Sequence, residues 1–422
     1  MILIKRGKIF TMAGKDYASG DILIDSGKIK YIDYSIAIND RDCRVIDATG
    51  CWVLPGLIEA HCHIGITEEK KGAEGNDCNE VKQPLTPSLK ALDAINPMDP
   101  AFHTAIEAGI TGVMVGPGSS NVVGGQFVFM KTYGRSIDKM VVLEPAAMKV
   151  AFGENPKSNY GDLDMMPSTR MSIAALLREE LFFAKQYCDN KKKAQEQGEE
   201  FLQDFQKECW IPVFEKKIPL KAHVHRTDDI ITAIRIAKEY DLEMTLDHCT
   251  EGHLITDEII ESHYPAIIGP TLASRNKIEV QYMDFKTAGV LNKAGIKVAI
   301  TTDHPVSRIP YLAICAGLAA KSGLDKAEAL KSITINAAEI CRVGKRIGSI
   351  EIGKDADIAI FDGNPMETFT KTLYTIIDGV IVFENGKIKE IGSHRSLLNK
   401  KGLYSKLWKS QVGGFIAGNK DC

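Results

Sequence analysis

Apolar and polar positions change period twice along the chain. Near the N-terminus they alternate in short runs, ILIKRGKIF (2–10) and DILIDSGKIKYI (21–32), with turns at Ala13-Gly14-Lys15 and Ser26-Gly27. Alternation broken by Gly-containing turns predicts β-hairpins. The same vocabulary returns near the other end in DADIAIFDG (355–363) and YTIIDGVIVFENGKIKEIG (374–392), with turns at Asp378-Gly379 and Asn385-Gly386. Gly-Lys-Ile-Lys occurs at both 27–30 and 386–389. An isolated hairpin is marginal in water, so one small β-sandwich built from both ends is expected, residues 1–51 and 346–392, with the middle inserted into it.

Between 52 and 345 the period changes. Near-continuous apolar runs at 52–61, 109–116, 139–144, 220–225, 243–248, 265–270 and 296–303 alternate with helical patterns such as DDIITAIRIAKEY (228–240). Strands that are apolar on both sides belong to a parallel sheet covered on both faces. With nearly 300 residues, a (β/α)8 TIM barrel is favoured over an open sheet. The glycine-rich stretch Gly116-Pro117-Gly118 to Gly124-Gly125-Gln126 reads as a loop after the second strand, either approaching a substrate or turning tightly. Residues 168–216 read as a solvated helical insertion.

Composition removes alternatives. With 52 Lys+Arg against 55 Asp+Glu, the net charge of −3 gives no footprint for nucleic acid or anionic membrane. The start MILIKRGKIF lacks the apolar core of a signal peptide. Ten cysteines without a CxxC pair read as free thiols, and the cytoplasm is the expected compartment. A small-molecule substrate is expected, with no nucleic-acid or membrane partner; a homo-oligomer is left open.

Functional side chains in a parallel barrel project from the C-terminal strand ends. The first run ends in His61-Cys62-His63, the fourth in His223-Val224-His225, the fifth in His248 and the last in Asp303. Residues i and i+2 of a strand share a side, so each His-x-His pair can converge on one point. Three histidine-bearing strands and a carboxylate at one barrel end make a metal site, with Zn²⁺ the best match to the donors and one or two ions. A divalent metal lowers the pKa of a bound water and polarises a carbonyl oxygen. Asp303 is placed to accept a proton, or else caps its strand. His103, His253, His263 and His394 lack such placement.

The constellation VLPGLIEAHCH (53–63), His223, His248 and Asp303 in TTDHP resembles the amidohydrolase superfamily of metal-dependent hydrolases. NAAEI (336–340) and RIGSIEIGKDADIAIFDGNP (346–365) look like the segment where that family's chain leaves its barrel. The resemblance implies a distorted (β/α)8 barrel carrying a composite β-sandwich, and hydrolysis of a C–N bond in an amide or cyclic amide. By position His61, His63, His223 and His248 match the metal ligands, with Asp303 as ligand and acid/base. The imidazolonepropionase-like and dipeptidase-like branch is the nearest. Many deaminases of the family, and imidazolonepropionases, carry a Glu where this chain has Arg226, which counts against both activities. Lys149, with Glu154 behind it, is the candidate for the carboxylated lysine that bridges two metals, or else an ordinary lysine facing solvent or a substrate carboxylate. His225, Arg275, Gln126 and His304 are candidates for substrate contact. A deaminase and a non-catalytic scaffold on the same fold are the competing readings. The tail from 393 to 422, GKIKEIGSHRSLLNKKGLYSKLWKSQ with its preceding residues, is similar to the end of ABC-exporter ATPase domains, but the chain has no phosphate loop. A terminal packing helix is expected there.

Overall fold

The computed structural model describes residues 1–38, 42–69 and 72–385, together with 398 and 405. Apart from 398 and 405, the expected tail helix over 393–422 lies outside the described residues, as does the second Gly-Lys-Ile-Lys. Residues 1–383 form one unit.

Five strands open the chain: β1 (Ile2–Ile9), β2 (Tyr17–Asp25), β3 (Lys28–Asp33), β4 (Arg44–Asp47) and β5 (Trp52–Pro55). Eight follow: β6 (Leu57–Cys62), β7 (Ile110–Val115), β8 (Val123–Lys131), β9 (Val141–Ala151), β10 (Leu220–Val224), β11 (Met244–His248), β12 (Ala266–Ile268) and β13 (Val298–Ile300). The last three are β14 (Ile358–Phe361), β15 (Thr372–Ile377) and β16 (Val380–Glu384).

The terminal strands share one sheet in the order β16-β15-β14-β5-β1-β2-β3, with β4 also on β1. The two ends of the chain meet where β14 runs antiparallel to β5, from Ile358 opposite Pro55 to Phe361 opposite Trp52. Alternation puts Ile4, Ile22, Ile24, Val53, Ile358, Ile360 and Ile376 into a separate apolar cluster. Ser26-Gly27 and Asp378-Gly379, all four at positive φ, turn the hairpins. These turns touch: a Cβ on Gly379 would lie 3.0 Å from the Gly27 Cα, so only glycine permits the approach.

WVLPGLIEAH, expected as one strand, is two. It crosses from the terminal sheet to the barrel at Gly56, where a Cβ would fall 2.1 Å from Thr111 Oγ1. The barrel sheet runs β6 to β13 in chain order. Its edges approach each other through Thr302, whose N–H donates to Glu59 Oε2 at 2.9 Å, and through His63 N–H, which donates to the His304 carbonyl at 2.8 Å. Burial pushes the Glu59 carboxyl up to about 7 against the hydrogen bonds from Thr301 and Thr302. The sheet is therefore a nearly closed, mixed barrel.

Its departure from all-parallel order is β8. The stretch expected to be wholly loop enters a strand at Val123 that is antiparallel to both β7 and β9. All nine of its residues are buried, so it needs the apolar run FVFM rather than alternation, and Gly124 and Gly125 sit inside it. Strand β9 extends to Ala151, beyond the expected 139–144, which brings Lys149 into the sheet. The helical insertion contains a long helix, Arg170–Gln197, with a Thr169 capping box and Gly198 in the left-handed region at its end.

Lys131, at the end of β8, joins barrel to terminal sheet. Its ammonium bonds Asp357, and Asp355 and Asp378 at 3.2 Å each. Lys131, Asp355 and Asp357 are all buried. Removing one partner of a buried ion group leaves the others uncompensated, at a cost of about 3–5 kcal/mol. Lys131→Met is expected to lower unfolding stability by that order in urea titration.

Candidate metal centre

Strand geometry builds the site. His61 and His63 leave the end of β6 on one side, and His223 and His225 do the same at β10, while His248 ends β11 and Asp303 follows β13. All six are buried. Their ligand atoms gather into two triads, His61/His63/Asp303 and His223/His225/His248, with the donor atoms of each within 4.8 Å of one another.

Hydrogen bonds fix which ring nitrogen faces inward. His61 Nδ1 donates to Asp247 Oδ2 at 2.7 Å, His63 Nδ1 to the Gly116 carbonyl at 2.7 Å, and His248 Nδ1 to the Gly269 carbonyl at 2.7 Å. Carboxylates and carbonyls only accept, so in the neutral form of each ring Nε2 keeps its lone pair. Such outer partners orient metal-binding imidazoles. Nδ1 of His225 pairs with Thr250 Oγ1 at 2.7 Å.

Asp303 Oδ1 lies 3.3 Å from His63 Nε2 and 3.6 Å from His61 Nε2. It is a buried oxygen with no hydrogen-bond partner. Burial alone would raise this carboxyl; His248, His63 and His61 outweigh it and hold it low. An orphaned carboxylate oxygen among lone-pair nitrogens is what a divalent cation satisfies, so these residues fit a metal.

Lys149 Nζ sits 3.5 Å from His61 Nε2, fully buried. Burial pushes its ammonium down to about 8, against Asp247 and Asp303, and its charge also acts on His223, His225 and His248. Its neighbour Lys221 is already engaged by Asp247 at 3.1 Å and the Ala60 carbonyl at 3.2 Å. Lys149 is thus the amine that faces both triads.

The triads open into a cavity of about 670 Å³ lined by His63, Cys78, Asn155, His223, Lys277 and Asp303, among others. Other expected contacts fall elsewhere. Gln126 is buried on β8 and donates to the Pro87 carbonyl at 3.0 Å. Arg275 donates to the Met283 carbonyl at 2.8 Å and lines a neighbouring hollow. His304 accepts from Ile309 N–H at 3.2 Å, and burial holds it down at about 4. Glu154 opens the helix Glu154–Gly161, its N–H donating to Glu279 Oε2 at 2.8 Å.

Three residues of the site carried no sequence signal that singled them out. Asp247 precedes His248 yet serves His61. Lys277 bonds Asn155 Oδ1 and Glu279 Oε1 at 2.6 Å each. Burial would raise Glu279, but His223 and Lys277 hold its carboxyl down at about 2. The carboxylate that orients a metal-binding imidazole typically contributes 10- to 100-fold to affinity. Asp247→Asn is therefore expected to weaken metal binding by about 10- to 100-fold in competition with a chromogenic chelator.

Comparison with known proteins agrees with this geometry. The model of the Amidohydrolase family matches residues 190–389. The crystal structure of an amidohydrolase from Thermotoga maritima is 39% identical, with a TM-score of 0.88, covering 91% of this chain and all of that one. Amidohydrolase tasK of Hapsidospora irregularis is 27% identical over 87% of this chain, which spans 40% of that protein's length. The imidazolonepropionase of Thermoplasma volcanium is 24% identical, with 90% of this chain and 96% of the relative covered.

Proposed function

The chain belongs to the amidohydrolase superfamily of metal-dependent hydrolases, and from that premise we propose that it hydrolyses a C–N bond in a small amide or cyclic amide. The observation that carries this reading is the unpartnered Asp303 Oδ1 between His61 and His63 at the floor of an open cavity. His61, His63, His223, His248 and Asp303 would hold one or two divalent ions, Zn²⁺ by the imidazole and carboxylate donors. Lys149 would bridge them if carboxylated, a role its Nζ, 3.5 Å from His61 Nε2, supports. When bound, such an ion lowers the pKa of a water and polarises the substrate carbonyl.

The remaining work falls to the chain. Asp303 Oδ1 accepts the proton of the attacking water as oxygen bonds to the carbonyl carbon. It then passes that proton to the nitrogen as the C–N bond breaks, giving an acid and an amine. Asp247, Gly116 and Gly269 keep the imidazoles turned inward. Arg226, in place of the Glu of deaminases and imidazolonepropionases, turns outward to Asp228 at 3.0 Å, which supports an amide over those substrates.

We also read the terminal sheet as a small sandwich folded on its own apolar cluster, and domain limits at 1–51, 52–345, 346–392 and 393–422. The described cysteines are all free, which fits the cytoplasm. No helix among the described residues is long and apolar enough to cross a membrane. The test is a hydrolysis screen of metal-reconstituted protein over N-acyl amino acids, dipeptides and cyclic ureides. New carboxylate and amine are expected from at least one class. Ammonia from aminated heterocycles alone would instead show a deaminase.

A further inference from the structure

Three strand-end segments meet at one asparagine, and none of the residues involved belongs to the motifs that carry the family resemblance. Ser119 follows β7, Asn155 follows β9 on the helix Glu154–Gly161, and Lys277 follows β12. Asn155 Oδ1 accepts from Lys277 Nζ at 2.6 Å, and Asn155 Nδ2 donates to Ser119 Oγ at 2.7 Å. Lys277 settles which way that amide points, since an ammonium only donates and must face the oxygen. Ser119 therefore receives a hydrogen bond, and its own O–H has no acceptor among the described residues. Lys277 gives a second N–H to Glu279 Oε1 at 2.6 Å and has a third to give. Both leftover donors belong to residues that line the 670 Å³ cavity.

Charge narrows what these donors can take. Among the described residues lining the cavity, Lys277 is the only lysine or arginine and Asp303 the only carboxylate. Glu279, 1% exposed, fixes the ammonium and is itself held by the Glu154 N–H at 2.8 Å. Asn155 Nδ2 also lies 3.5 Å from His223 Nε2, so the width of one side-chain amide separates this corner from the histidines. We propose that Ser119 and Lys277, aligned by Asn155, bind a carboxylate of the substrate. This rests on the hydrolase reading above and narrows its substrate class. The substrate is an amide carrying a free carboxylate close to the scissile C–N bond, as an N-acyl amino acid or a dipeptide does. That carboxylate accepts from one neutral and one charged donor, and charge-assisted bonds are the stronger kind. A neutral group in its place forfeits the charged bond.

Matched pairs of compounds test this on the full-length, zinc-reconstituted protein. Each pair is an N-acetyl amino acid or dipeptide and the same compound with its carboxylate converted to a carboxamide. The acid is expected to be cleaved with kcat/KM about 10- to 100-fold above its carboxamide, the usual worth of a hydrogen bond to a charged group. Lys277→Met is expected to raise KM for the acid and bring that ratio close to one. Ser119→Ala, which leaves Glu279 paired, is expected to shrink the ratio in part, and it decides where Lys277→Met fails to fold. A carboxamide cleaved as well as its acid by wild type, or a ratio unchanged in the folded variants, would overturn the anchor and leave the hydrolase reading intact. Where no member of any pair is cleaved, the hydrolase reading stands or falls by the wider screen, and binding judges the anchor. Calorimetric titration of metal-free protein is then expected to show N-acetylglycine binding more tightly than N-acetylglycinamide, with the difference reduced in Ser119→Ala. Equal affinities in wild type refute the anchor.

Discussion

Replacing Asp303 by Asn is expected to lower turnover by about 10²- to 10⁴-fold, the usual contribution of a general acid/base, while most bound metal stays. The substitution is close to isosteric and suits the backbone. Asp303 has φ of 52°, in the left-handed region that Asn and Asp tolerate better than other non-glycine residues. The neighbouring imidazoles keep their orienting partners, because none of those hydrogen bonds involves Asp303. What disappears is a buried carboxylate oxygen beside His61 and His63 that has no hydrogen-bond partner to keep it from taking a proton. Turnover of the best substrate from the screen and metal content should be measured on the same sample. Undiminished turnover would sink the assignment of Asp303, and a proportional fall of metal and rate would make it a ligand without a proton-transfer role.

The strand-end histidines were legible because two constraints coincide on them. A His at the end of an apolar run must face the barrel mouth, and His-x-His puts both rings on one side. That logic located His61, His63, His223, His225, His248 and Asp303 from periodicity alone. It missed β8 because Gly124-Gly125 and Gln126 disguised its start as a turn and left only the short apolar run FVFM. Glu279 and Lys277 lie in the loop NKIEV, where no period tells which side chain turns inward. Arg275 was the expected substrate contact there, but the loop turns it onto Met283, and Lys277 lines the cavity instead. Asp247 was hidden differently. It is adjacent in sequence to one ligand, His248, and orients another on a distant strand, a relation that exists only after the barrel closes.

Removing metal is expected to abolish hydrolysis and to lower the melting temperature, with both restored by Zn²⁺. A ligand bound only by the folded state stabilises it by about 4 kcal/mol at a thousand times its Kd. The effect should depend on pH in a definite direction. Burial, reinforced by Lys149 and Lys221 at His61 and by His248 at His223, holds these imidazoles well below their ordinary 6.5. In the unfolded chain they take protons near 6.5, in the folded chain only at lower pH. The unfolded state therefore binds more protons between those values, so stability present above about 6.5 is lost as pH falls. Metal-free protein should melt at progressively lower temperature from pH 6.5 to 5. Zinc-loaded protein should hold its melting temperature further into acid, because its imidazole lone pairs are already engaged. Calorimetry at several pH values between 5 and 8, with and without zinc, measures both. A metal-free melting temperature that neither falls with acid nor responds to zinc would show that these histidines bind no metal.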